Sequence, residues 1–150
     1  HFNLNSLGAE VLEYVQDMYG PGEDSVLFRG IGTDRFVVVW RISDERVEEM
    51  IEKKRRFDHE PFLKSALAVC RVAESDPASF PVNKLDLRDM RLRLEVPPDV
   101  HQLMGMSIAS ATDWRRKTRE AFLKYLHEDY KVVGFYLDQV SGRCFYCMER

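Results

Sequence analysis

Arg115 and Arg119 stand four residues apart in the stretch SATDWRRKTREAFLKYLHED, a spacing that stacks two side chains on one side of a helix. Trp114, Ala121, Phe122 and Tyr125 share a face of that helix, so the face is buried, and both guanidinium groups run along its margin toward Phe122 and Leu126. Arginines beside an apolar surface require anions. The pair can bond acidic side chains of its own domain or snorkel along the margin. Alternatively it can hold a carboxylate or phosphate of a small molecule through the fork geometry of arginine, with Trp114 as a wall of the pocket.

Other reactive side chains are less productive. Cys70, Cys144 and Cys147 form an odd set without framework spacing, as expected of reduced thiols. RCFYCMER follows a turn signal and reads as a strand, in which cysteines three apart face opposite sides and pack as small hydrophobes. The four histidines are scattered, with no ligand at metal-binding spacing, so no metal site is expected. Asp34 and Arg35, at the start of RFVVVWRI, suit an ion pair with neighbouring elements.

The elements that must position these residues alternate along the chain. Leu7, Val11, Tyr14, Val15 and Met18 recur at three- and four-residue steps and predict a helix from Leu7 to about Met18, ending before YGPGEDS. RFVVVWRI predicts a buried strand. DERVEEMIEKKRR predicts a half-exposed helix capped by Ser43 or Asp44. The second half of FLKSALAVCRVAES predicts a strand, DPASFPVNKLD a proline-bearing loop, and MRLRLEVP a strand closed by Pro97 and Pro98. The long helix, capped by Ser110 or Thr112, precedes a terminal hairpin, YKVVGFYLD and GRCFYCMER. This pattern predicts an α/β or α+β layer fold with a mixed β-sheet and packed helices.

Size and charge bound the rest. One domain over residues 1–150 suits the length, and 45% hydrophobic with 31% charged residues is globular composition. The net charge of −3, with interleaved signs, gives no electrostatic case for nucleic acid or an anionic membrane. No apolar run is long enough for a membrane span, and a cytoplasmic location is expected.

Phe2, Asn3, Leu4, Asn5, Leu7 and Gly8, then Thr33, Asp34, Arg35 and Trp40, then Val96, Pro97 and Asp99, and finally Trp114, Arg115, Thr118, Arg119 and Phe122 follow a shared order of motifs. In that order the chain resembles the carboxyl-terminal part of a predicted acetyltransferase group in the GNAT superfamily. The resemblance implies an N-acyltransferase using acetyl-CoA and a small-molecule amine acceptor. Arg115, Arg119 and Trp114 would then hold an anionic acceptor, with Asn3 and Asn5 near the cofactor; as helix caps, the two asparagines would be structural instead. The Gly-rich pyrophosphate turn of the superfamily is not found in this sequence, and Leu4 stands where a tyrosine acid often stands. Tyr14, Tyr19 or a water stay open for that role, and the catalytic residues stay unassigned. The resemblance thus implies that His1 is an internal residue, that a missing amino-terminal portion or a partner subunit holds the cofactor, and that the chain alone is inactive. A non-catalytic module recognising an anionic small molecule or partner is the other reading. Arg119→Ala separates binding from structure: a binding role raises the acceptor KM at little cost in stability, and a structural role damages folding.

Overall fold

The computed structural model describes residues 2–20, 30–52, 59–71 and 82–150. In chain order these form α1 (Phe2–Asn5), β1 (Glu10–Val15), β2 (Arg35–Val39), α2 (Glu45–Ile51), α3 (His59–Ser65), β3 (Leu67–Ala68), β4 (Cys70–Arg71), β5 (Val82–Asn83), β6 (Arg91–Val96), α4 (Val100–Met106), α5 (Ile108–His127), β7 (Lys131–Leu137) and β8 (Cys144–Glu149). The fold is mixed α+β, as the alternation of patterns predicts. Expectations for the turn at 21–25, the basic run 53–56 and most of the proline-bearing loop lie outside the described residues.

The main sheet has the order β3-β6-β8-β7, parallel between β3 and β6 and antiparallel elsewhere. Alternation along β6 sends Leu92 and Leu94 to one face, where they join Val132, Met148, Trp114, Phe122 and Tyr125 in the principal core beneath α5. The other face carries a smaller cluster, in which Phe62 and Ala66 of the α3 region pack on Cys147. Cys147 and its neighbour Met148 therefore serve opposite faces, and all three cysteines are buried free thiols. Two further antiparallel pairs, β1-β2 and β4-β5, flank the sheet, and β1 lies beside β7.

The helix expected from Leu7 to Met18 is instead a strand. Gly8 has φ +70°, a conformation that ends the short α1 and turns the chain into β1. Within β1 the register jumps from Val11 opposite Val38 to Glu13 opposite Val37, leaving Leu12 as the extra residue of a β-bulge. The bulge puts two residues of one face, Val11 and Tyr14, three positions apart, which is a helical step made by a strand.

The long helix forms as its sequence dictates, one turn further back than the cap expected. Ser107 is the N-cap, its hydroxyl accepting from the Ser110 backbone N–H at 3.1 Å. At the other end Asp129 takes φ +65° and the Tyr130 N–H bonds the Tyr125 carbonyl at 3.0 Å, a left-handed closure. Asp44 caps α2, and Asp99 caps α4, an element the sequence pattern did not reveal. Among the described residues, no helix is long and apolar enough to cross a membrane.

Candidate functional site

The connection between β1 and β2 is closed at its neck by a polar clasp. Asp17, at φ +45°, uses one carboxylate oxygen to accept from the Thr33 N–H at 3.2 Å, while its own N–H donates to Asp34 Oδ1 at 3.0 Å. The Thr33 hydroxyl donates to the Gly20 carbonyl at 2.6 Å and accepts from the Tyr19 N–H at 2.9 Å. Gly32, at φ +87°, leaves the room this requires. A Cβ there would sit 2.7 Å from Asp17 Oδ1 and 2.9 Å from Arg119 Nη2.

Arg119 reaches this clasp from α5. Its Nε and Nη2 donate to the two oxygens of Asp34 at 2.8 and 2.5 Å, and Nη2 also donates to Asp17 at 3.0 Å. Tyr14 completes the group by donating its hydroxyl to Asp34 Oδ2 at 2.6 Å. Burial pushes the Asp34 pKa up, but bonds from Arg119 and Tyr14 outweigh it and hold the carboxyl below its ordinary value. The Tyr14 hydroxyl is pushed far up, first by burial and then by Asp34, with a smaller opposing pull from the Arg115 guanidinium. Arg119 is held more firmly protonated by Asp34. A carboxylate so stabilised is a poor base, and a phenol so raised is a poor acid.

Against the clasp lies a half-open cavity of about 260 Å³. Tyr14, Phe36, Trp114, Phe122 and Tyr146 are its aromatic walls, and Val96, Pro97 and Val100 form an aliphatic side. Its polar lining comprises Asp34, Arg35, Arg115 and Thr118. Most of these groups are engaged: the Thr118 hydroxyl donates to the Trp114 carbonyl at 2.9 Å, and Arg35 donates to the Asp34 carbonyl at 2.8 Å and lies over the Tyr19 ring. Two donors are not. Among the described residues, the Trp114 Nε1 and the Arg115 Nε are buried without a hydrogen-bond partner, and Trp114 is only 3% exposed. Arg115 makes no ion pair among the described residues, in contrast to Arg119 one turn later.

The residues singled out by sequence thus separate. Trp114 and Arg115 line the cavity together, while Arg119 and Asp34 form the structural ion pair at its back. Asn3 and Asn5 are not among the lining residues. The Asn5 amide bonds both backbone groups of Phe135, accepting from its N–H at 2.9 Å and donating to its carbonyl, so it ties α1 to β7. Its polar atoms are therefore occupied and do not suit a pyrophosphate; Asn3 is exposed, with its carbonyl accepting from the Ala9 N–H at 2.9 Å. No activated thiol stands in reserve either, since burial pushes Cys70 and Cys147 up to about 12. Among the described residues no cluster of three or more His, Cys, Asp or Glu is arranged to hold a metal ion.

Phe36, Val100, Tyr146 and Gly32 joined the site without being foreseen. Phe36 had a signal, since alternation along RFVVVW puts it on one face with Val38, and the resemblance included Gly8 and Asp34 but passed over Gly32. Fold and cavity together define a mixed α+β protein with an aromatic, arginine-bearing cavity. The chain matches no family model, no curated protein and no solved structure.

Proposed function

We propose that the chain binds a small organic anion in the cavity beside α5, held by Arg115 and Trp114, and that it does so as the acceptor-side part of a GNAT-like N-acyltransferase. One observation carries the binding reading: Arg115 lines the cavity without an ion pair among the described residues, next to the Trp114 ring. A guanidinium lining a partly buried cavity without a counter-ion is suited to pair with a ligand carboxylate. The aromatic walls supply the apolar contact that small-molecule pockets use for affinity, and the few polar groups fix orientation.

The acyltransferase part rests on the resemblance. Acetyl-CoA is assigned no residue, because Asn5 is engaged in the framework and Asn3 is not among the residues lining the cavity. The alternative is a non-catalytic binding module, favoured by the engagement of Tyr14 and Asp34 with each other.

Thermal shift with a panel of small carboxylates tests the binding. Melting of the wild-type chain is expected to rise with carboxylate, and Arg115→Gln is expected to lose that response while melting at a similar temperature. If no carboxylate moves the wild type, the reading is wrong. Adding acetyl-CoA with an amine-bearing carboxylate and following free thiol then separates the two forms. Acceptor-dependent thiol release supports acyl transfer; carboxylate binding without it selects the module.

A further inference from the structure

We infer that the ligand of this cavity is an aromatic monocarboxylate of about ten non-hydrogen atoms, an inference that rests on the anion-binding reading and gives it a substrate class. Four features converge on that class.

The first is charge. Arg115 lines the cavity without an ion pair among the described residues, and the Asp34 carboxylate, which Arg119 pairs, lines it as well. A single carboxylate satisfies Arg115. A phosphate dianion would bring a second negative charge beside Asp34, which a partly buried site disfavours.

The second is the shape of the donor. A guanidinium is a planar fork that meets the two oxygens of a carboxylate, whereas an alcohol or an amide carbonyl offers a single oxygen, and the Trp114 ring lines the cavity beside Arg115. The clasp supports this arrangement from behind, since Tyr14 is fixed by Asp34 and lies close enough to feel the Arg115 charge.

The third is volume. A dry cavity of about 150 Å³ accommodates benzene, so 260 Å³ accepts roughly ten non-hydrogen atoms at the same density. A six-membered ring, one linking carbon and a carboxylate meet that size.

The fourth is the geometry of the walls. Phe36, Phe122 and Tyr146 meet edge to face, with centroids 4.8 to 5.3 Å apart and interplanar angles of 70° to 82°. A further ring extends this herringbone with its edge against a face, a gain unavailable to a saturated ring of the same bulk and worth roughly 3- to 10-fold in affinity.

The test follows the Trp114 indole N–H in proton–nitrogen correlation spectra of the whole chain, with Trp40→Phe assigning the two indole signals. Phenylacetate, cyclohexylacetate, 2-phenylethanol and phenylphosphonate are titrated at a pH where the last is a dianion. Phenylacetate is expected to move the Trp114 signal and to bind roughly 3- to 10-fold more tightly than cyclohexylacetate. The neutral alcohol is expected to be at least about tenfold weaker than phenylacetate, and Arg115→Met to erase that difference while leaving the spectrum folded. Cyclohexylacetate binding equally well, or phenylphosphonate binding better, overturns the aromatic monocarboxylate and leaves the anion-binding reading standing. If no acid moves the Trp114 signal of the folded chain, both fall.

Discussion

Arg115 and Arg119 occupy the same helix, one turn apart, and meet opposite fates. Arg119 reaches the neck of the β1-β2 connection and bonds two carboxylates, one of them fully buried. Arg115 lines the cavity and keeps a buried nitrogen without a partner among the described residues. The clasp is a region where every strong group is answered within the chain; the cavity beside it is a region where two are not. The bonded charges of the clasp tie α5 to the β1-β2 connection, and the guanidinium beside them, unpaired among the described residues, is the group on which the proposed ligand binding rests.

The largest effect expected from breaking the clasp is on stability. Asp34→Ala removes the acceptor for Arg119 and Tyr14 at once and leaves a guanidinium facing Asp17 alone. Removing one partner of a buried pair costs about 3–5 kcal/mol, and denaturant unfolding measures it. Loss of less than about 1 kcal/mol, the range of an exposed pair, would put the clasp on the level of surface salt bridges. Gly32→Ala attacks the same region without touching a charge. Its Cβ meets both Asp17 and Arg119 inside van der Waals distance at a backbone conformation that favours glycine, so about 1–3 kcal/mol is expected, read by the same unfolding curve.

Acid sharpens the comparison further. The Asp34 pKa is lower folded than unfolded, so its contribution is complete above its unfolded value, about 3.9, and disappears as pH falls through the folded value. Wild-type stability is therefore expected to fall steadily below about pH 4, and Asp34→Asn to flatten part of that slope from a lower starting stability. An unchanged slope in the variant would assign the acid sensitivity to other carboxylates.

Why the sequence could not tell the two arginines apart follows from the same geometry. On α5 they are equivalent, and both sit at the margin of a face whose burial the pattern reveals correctly. What divides them lies far along the chain: Asp34 is 85 and Asp17 102 residues from Arg119. The alternating β6 and helix α5 were legible because periodicity there reports a burial face, and the terminal hairpin from its turn signal; β2 was legible from its β-branched composition, but it is half-buried rather than buried, because Val38 faces outward. β1 was not, because the bulge at Leu12 imitates a helical step. Helix α4 was missed because its seven residues bury only Leu103 and Met104, too little for a period, though Asp99 was a visible cap. The asparagines near the start read as caps or ligand groups; the partner of Asn5 is Phe135, a strand that no local pattern connects to it.

The smallest stability effect is the most discriminating. Arg115→Met keeps an apolar stem of similar length beside the cavity while removing the guanidinium with the orphaned Nε. If this charge serves only a ligand, the unliganded protein loses nothing it uses, and stability stays within about 0.5 kcal/mol of wild type or rises as the unsatisfied donor disappears. Arg119→Met, made in parallel, abandons two carboxylates and is expected to cost about 3 kcal/mol, the lower end for a buried pair because its side chain is 27% exposed. Equal losses in the two variants would mean that Arg115 supports the fold as Arg119 does, and the division of labour along α5 would be wrong. A large loss for Arg119 with none for Arg115 separates framework from site on one helix, with the wild-type carboxylate response as the independent check on what the site is for.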